Sequence, residues 1–432
     1  MNFPQAIEYL YELGNEVLTM KLGLENIRKL LAALGNPQEN SLKIQVAGTN
    51  GKGSTCAFLD AICVSAGIKA GLYTSPHLVS ITERIKIDGA EIGEKDFAKH
   101  ATKVRNVSEK LVEQNELETV PTFFEQVTAI ALSAFAESAV ELAILETGLG
   151  GRFDATTAAN AEIVAITPID FDHQQILGDT LEKIAAEKAA IIRADTKVIV
   201  AKQNHAAEKI IFERCDGFGI APKRTNFQAE IVGRKEKNFI VNFQTEKAEY
   251  KNVMLNLLGK HQIENAKTAI LLAETLQDYF PIKTENVIRG LQTATHEGRL
   301  EFDENFLFDG AHNVAGAKAL KEFLDEFITQ PITMIFGAMR DKDLTEIAEI
   351  LFPKIDKLVF TIPDNPRSMS AEELMKFLPE NFERENVFQT ETVENAIEKA
   401  REISSENNLI LITGSLYLVG EARKMLAEMN KF

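Results

Sequence analysis

The sequence predicts an α/β protein in two units, a large one built on a parallel sheet and a smaller one of the same class. Three observations carry this. Short apolar runs such as Leu142–Leu145 and Ile163–Ile166 alternate with amphipathic stretches at the spacing of βαβ units. One such run, Ile44–Ala47, breaks into a Gly-rich turn that opens a helix. The alternation then stops, gives way to a charged stretch around Phe227–Phe243, and restarts beyond Gly298.

In chain order, an acidic amphipathic helix runs from Gln5 to Leu13, and a second ends near Leu34, stopped by Gly35 and Pro37. Strand, turn and helix follow from Lys43 to Ala66, closed by Gly67. Lys69–Tyr73 is a strand, and Glu83–Ile87 alternates as an edge strand turning at Asp88–Gly89. Helices are expected over Lys95–Gln114 and Phe123–Ser138. A helix from Thr180 to Ile192 and a strand at Val198–Val200 extend the large sheet. Phe227–Phe243 predicts an antiparallel hairpin. Helices His261–Leu276 and Thr284–Thr293 close the first unit, residues 1–295. The second, 296–432, reads strand Phe306–Phe308, helix Val314–Phe327, strand Thr333–Phe336, helix Leu344–Leu351, strand Lys357–Thr361, helices Ala371–Leu378 and Val393–Glu402, and strand Leu409–Ile412.

At 432 residues the chain exceeds one ordinary hydrophobic core. Its formal charge of −17 argues against nucleic acid or an anionic membrane as partner. Cys56, Cys63 and Cys215 are odd in number and have no C-x-x-C spacing, which reads as free core thiols in a reducing compartment. Met1–Glu8 has no basic leader, and no apolar run approaches the ~18 residues of a membrane span. A cytoplasmic protein is the expectation.

Gly48–Thr49–Asn50–Gly51–Lys52–Gly53–Ser54–Thr55 forms the strand-to-helix turn. Such a turn aims backbone N–H groups and a helix N-terminus at one spot, which suits phosphate. Lys52 can reach terminal phosphates, and Ser54 or Thr55 can face a magnesium ion. The common P-loop pattern is matched imperfectly. Val46 stands at the first glycine position, and Gly53 separates Lys52 from the hydroxyl of Ser54.

In an open parallel sheet, ligands bind at the carboxyl ends of strands. Those ends carry Ser75, Glu146 and the Asp170–Phe171–Asp172–His173 run. A lone carboxylate ending an apolar strand is costly unless paired or metal-bound, which favours a role for Glu146. Ser75 before Pro76 also reads as a turn, and His173 as a solvated loop residue. Gly148–Gly151 lacks the third glycine and the apolar helix of a dinucleotide fingerprint. Lys188 has the pattern of a surface lysine. Asp309 and His312 sit at a strand end of the second unit, Asn313 reads as an N-cap, and Asn265 lies among polar groups on one helix and could as easily be a buried structural amide.

Taken together, Gly48–Ser54, Tyr73–Leu78, Leu145–Thr156, Asp172–His173, Glu187–Ala189, Gly298–Arg299, Phe308–Asn313, Asp341–Asp343 and Thr413–Ser415 closely resemble the folylpolyglutamate synthase/dihydrofolate synthase family of Mur ligases, over essentially the whole chain. The resemblance implies a P-loop NTPase-type domain followed by a smaller Rossmann-like domain. It implies that Thr49, Asn50, Gly51, Lys52, Gly53 and Ser54 bind ATP phosphates, and that Asn265, Arg299 and Asp309 contact the nucleotide. Ser75, Glu146 and His173 match magnesium ligands. Lys188 matches a lysine that the family carbamylates, and His312 falls near the reaction centre. Thr122, Phe123, Phe124, Glu125, Phe153, Asp154 and Ala155 match the pocket for folate or dihydropteroate, where an aromatic can stack on the ring. Ala190 stands where Gly is common, Thr157 where Asn is common, and Lys21 where many bifunctional members have Asp.

The chemistry implied is ATP-dependent amide formation. A substrate carboxylate takes the γ-phosphoryl, and the amine of L-glutamate displaces phosphate from the acyl phosphate. The expected partners are ATP, L-glutamate and a folate or dihydropteroate, with the chain a monomer. Another Mur-type ligase acting on a cell-wall precursor is disfavoured by the short stretch before Ile44, which leaves no room for a third domain. A non-catalytic nucleotide-binding paralogue is disfavoured by the presence of Lys52, Glu146, His173, Lys188 and Asp309.

Overall fold

The computed structural model describes residues 1–14, 23–380 and 382–429; Lys21 lies outside them. Eight strands make the first sheet: β1 (Leu42–Ala47), β2 (Ala70–Tyr73), β3 (Ile85–Ile87), β4 (Ala90–Glu91), β5 (Leu142–Glu146), β6 (Ile163–Ile166), β7 (Lys197–Val200) and β8 (Lys223–Arg224), in the order β4-β3-β2-β5-β1-β6-β7-β8. All neighbours pair in parallel except β2–β3 and β3–β4. The central strands are buried on both faces, which is why they read as unbroken apolar runs. The antiparallel edge is short, and β4 is exposed.

Helices α1 (Phe3–Glu12), α2 (Glu25–Ala33), α4 (Glu94–Glu113) and α5 (Phe123–Glu137) bury one apolar cluster, and α3 (Lys52–Ser65) belongs to the cluster on the opposite face. Thr122 starts α5 with a capping box: its side chain accepts from the Glu125 N–H, and Glu125 accepts from Thr122. Beyond the short α6 (Gln174–Leu177), α7 (Leu181–Ala189) and α8 (His205–Asp216) cover β6 and β7. A separate antiparallel sheet, β9 (Gln228–Lys235), β10 (Asn238–Gln244) and β11 (Glu249–Met254), packs beside α3, α9 (His261–Leu276) and α10 (Thr284–Thr293).

The last sheet has the order β12-β13-β17-β14-β15-β16 over β12 (Glu301–Asp303), β13 (Phe306–Asp309), β14 (Ile332–Phe336), β15 (Lys357–Phe360), β16 (Val387–Gln389) and β17 (Leu409–Thr413). It is parallel apart from β12. Around it lie α11 (Val314–Phe327), α12 (Leu344–Leu351), α13 (Ala371–Leu374), α14 (Val393–Ile403) and α15 (Leu416–Met429).

Several elements differ from the sequence expectation. The hairpin around Phe227–Phe243 is three strands, because Glu249–Met254 returns along β10. Ile81–Arg84 is a 3₁₀ turn, so only Ile85–Ile87 of the alternating stretch pairs. Ala371–Leu378 is one α-helical turn followed by a 3₁₀ turn. Helices α8 and α15 and strands β8, β12 and β16 were not anticipated; the three strands are two or three residues long, too short to show a period. The three cysteines are free and buried. No described helix is long and apolar enough to cross a membrane.

Candidate active site

The four adjacent strands β2, β5, β1 and β6 end in Ser75, Glu146, the Gly48–Gly51 turn and the 167–173 loop. Gly51 caps α3 in the left-handed conformation (φ 85°) and makes no side-chain cap. A Cβ there would meet Asn265 Oδ1 at 2.1 Å, so the turn and α9 can touch only through glycine. The first-turn N–H groups of α3 therefore have no side-chain cap among the described residues, an arrangement that suits an anion. The N–H groups of Thr49 and Asn50 are spent differently: both donate to the Pro168 carbonyl, at 3.0 and 3.1 Å. Lys52 Nζ folds back onto the Thr49 carbonyl at 3.2 Å. Neither proposed hydroxyl of the helix is free for a metal. Ser54 Oγ is engaged by Gln262 and His296, and Thr55 Oγ1 is fully buried.

A cavity of about 450 Å³ opens over this turn, lined by Gly53, Ser75, Glu146, His296 and Arg299. Glu146 is buried, and among the described residues its Oε2 accepts only the Ser75 N–H, at 3.3 Å. Burial pushes its carboxyl up, against the pull of the Lys52 charge. Arg299 makes no hydrogen bond or ion pair with the described residues, which leaves an uncommitted guanidinium facing the cavity. Asp309 is committed to its own turn, accepting from Leu300 N and Ala311 N at 3.0 Å each.

Lys188 is not a surface lysine. It is 4% exposed, because α7 lies against the turn after β1, and Nζ donates to the Gly48 carbonyl at 2.8 Å. Burial, and then the Lys52 charge, bring its pKa down to about 7.

The carboxyl ends of the two large sheets face each other across Asp172. Lys342 Nζ donates to Asp172 Oδ1 at 2.6 Å, Asn313 Nδ2 reaches Oδ2 at 3.4 Å, and His312 Nε2 stands 3.6 Å from Oδ2. Burial pushes the Asp172 carboxyl up, but the His312 hydrogen bond and charge, with Lys342, outweigh it and hold it far below the usual range. Asn313 caps α11, as its position suggested, and also donates to Asn50 Oδ1 at 3.0 Å. His173 stands between Asp172 and Asp341, its ring nitrogens 3.8 and 3.9 Å from their oxygens.

A second cavity, about 160 Å³, is lined by Pro76, Thr122, Phe124, Glu125, Phe153, Asp154, Ala155, His173 and His312, and by Lys342, Arg367 and Tyr417 of the second sheet's loops. Asp154 also builds its own loop, accepting from Leu149 N at 2.9 Å and Thr156 N at 3.0 Å. Phe123 does not line this cavity; it is buried below it, stacked on Tyr11 at 6.0 Å. Ser75, Pro76 and Leu416 border both cavities. His296, Gln262 and Arg367 were not singled out from the sequence. They sit in a connector, a helix face and a loop, and carry no local pattern.

Residues 46–273 match the Mur ligase middle domain, and residues 298–416 match the Mur ligase glutamate ligase domain. Fold and strand-end site thus define a Mur ligase. Among relatives, the dihydrofolate synthase/folylpolyglutamate synthase of Bacillus subtilis is 34% identical over 94% of this chain and 95% of its own length. A probable bifunctional folylpolyglutamate synthase/dihydropteroate synthase of Haloferax volcanii is 35% identical over 98% of this chain, which spans 50% of that protein's length. Among solved structures, Mycobacterium tuberculosis folylpolyglutamate synthase complexed with ADP superposes with a TM-score of 0.91, at 29% identity and 98% coverage of both chains. E. coli FolC in complex with DHPP and ADP superposes at 0.86, with 27% identity over 100% of this chain and 99% of that one. The chain belongs to the folylpolyglutamate synthase/dihydrofolate synthase family.

Proposed function

We propose that this protein is an ATP-dependent ligase that joins L-glutamate to the carboxylate of a folate, and also to dihydropteroate, through an acyl phosphate. The observation that carries it is the position of Ser75 on the wall of both cavities. A phosphoryl group held over α3 and a carboxylic acid entering from the aromatic-lined cavity meet there.

In this reading the first-turn N–H groups of α3, Lys52 and Arg299 hold the phosphates, and Asn265 and Asp309 shape the nucleotide's surroundings. Phe124 and Phe153 flank a flat ring in the second cavity. Glu146 and the Ser75 hydroxyl supply oxygen donors that suit magnesium, with His173 on the far side of Ser75. The buried Glu146 carboxylate, which has no other hydrogen-bond partner among the described residues, is what makes the fit good. Held by Glu146 and Ser75, such an ion would supply charge neutralisation for the transferring phosphoryl. The near-neutral Lys188 amine is suited to take up CO₂ as a carbamate, releasing a proton and leaving an anion beside the P-loop. His312 and Lys342 reach the same space from the second sheet, so closure of the two lobes on Asp172 excludes water from the acyl phosphate.

We also place the domain division at residues 1–295 and 296–432. In support, the core containing α3, α9 and α10 ends at Ala294, and that of the last sheet begins at Leu300. We read the protein as a cytoplasmic monomer, a setting in which three free buried thiols stay reduced. Phosphate release from ATP that requires both a folate and glutamate tests the reading; release independent of folate overturns it. Replacing the folate with dihydropteroate tests the second substrate.

A further inference from the structure

The hydroxyl after the P-loop lysine is held by two side chains. Gln262 Nε2 donates to Ser54 Oγ at 3.2 Å, and His296 Nδ1 stands 3.2 Å from the same oxygen. The Gln262 amide is oriented by Asn265, whose Nδ2 donates to Gln262 Oε1 at 2.9 Å. Gln262 fills one acceptor position of Ser54 Oγ, which leaves the Ser54 hydrogen able to donate to His296 Nδ1, and we take the imidazole in the tautomer that this bond favours, with its proton on Nε2. Burial, and then the Arg299 charge, keep this ring neutral, so one of its nitrogens donates and the other accepts.

Nε2 makes no hydrogen bond with the described residues. Its place is the first turn of α3: a methyl group on Gly53 would lie 2.6 Å from His296 Cε1, 2.9 Å from Nε2 and 3.4 Å from Glu146 Oε2. A free N–H donor thus borders the cavity beside Glu146 and Arg299, at the anion-binding end of the helix. The offset P-loop follows from this. Glycine at position 53 makes room for the imidazole, and the hydroxyl at 54 turns to the ring.

We propose that His296 is a further nucleotide-binding residue, donating its Nε2–H to a phosphoryl oxygen of ATP seated over the first turn of α3. This rests on the ATP-dependent reading above. A single charge-assisted bond of this kind corresponds to about a tenfold change in affinity.

The test is calorimetric titration of ADP and of a non-hydrolysable ATP analogue into wild type, His296→Asn and His296→Gln. Asparagine places a polar atom near the Nδ1 position and keeps the Ser54 contact; glutamine places an N–H near Nε2. The expected result is about tenfold weaker nucleotide binding for His296→Asn and near-native binding for His296→Gln. Folate affinity should be unchanged in both. If His296→Asn binds nucleotide as wild type does, the ring only props Ser54 and the proposal is overturned. Equal loss in both variants overturns it as well, because the ring then acts by packing. Failure of wild type itself to bind nucleotide overturns the ATP-dependent reading, a separate outcome.

Discussion

Lys188 Nζ on α7 donates to the backbone carbonyl of Gly48, at 2.8 Å, across 140 residues of chain. The bond pins a titratable amine beneath the P-loop, with no carboxylate among the described residues in contact with it. Folding lowers its pKa from 10.5 to about 7. Below about pH 7 folded and unfolded chains both carry the proton, and the fold bears the whole penalty of a buried cation. Between pH 7 and 10.5 the folded amine is neutral while the unfolded one stays charged, so the penalty shrinks and then vanishes. Lys188→Met in CO₂-free buffer should therefore raise Tm most below pH 7, with the gain fading towards pH 10.5, while ligation is lost. With ¹³C-labelled bicarbonate, wild type should show a carbamate carbon resonance that the variant lacks; its absence from wild type would remove the carbamate.

Glu146 carries the opposite signature. Its carboxyl is pushed above 4.5 by burial, so the penalty on the fold grows as the pH rises through 4.5, is complete above the raised value, and disappears below 4.5. Glu146→Gln should melt higher than wild type at pH 7, and the difference should close as the pH falls. The same variant should need more magnesium for half-maximal turnover. An unchanged magnesium requirement would take Glu146 out of the metal site.

Arg299 makes no hydrogen bond or ion pair with the described residues and stabilises the buried Asp309 and Glu146 carboxylates only through its charge, so Arg299→Ala should lower Tm modestly. Removing a phosphate-facing guanidinium should weaken ATP binding about tenfold or more, since charge-assisted bonds to phosphate are among the stronger polar contacts. Calorimetry against melting separates the two effects. A large fall in Tm would show that the side chain supports the fold.

Asp172 joins the lobes through Lys342, His312 and Asn313. Asp172→Asn keeps the shape but weakens the charge that draws Lys342 and His312 across. Phosphate release should then exceed glutamate incorporation, because water reaches the acyl phosphate before the amine does. The measurement is the ratio of the two products, and a ratio that stays at one would show that closure does not depend on this contact.

The helices around the site were legible where the pattern is strong. His261–Leu276 and Thr284–Thr293 carry long apolar periods, and their observed bounds are those expected from the sequence. β8 and β12 were not legible, because two or three residues have no period and pair only when a neighbour lies alongside. Ser75 and Glu146 could be found because the strand-end rule needs only the order of strands. Phe123 illustrates the limit of adjacency. It neighbours two cavity residues, but a helix turns about 100° per residue, and its buried ring stacks on Tyr11 instead.

The sequence by itself determined the strand–turn–helix around Lys52, the succession of two α/β units and the residue types at the strand ends. These depend on local backbone preference and on apolar spacing within a few residues. Only the tertiary structure decided that Lys188 is buried, that Asp172 is shared between the lobes, and that His296 lies against Ser54, 242 positions away. Burial and electrostatic environment are set by whichever element packs on top, and packing joins segments whose sequence separation carries no periodic signal.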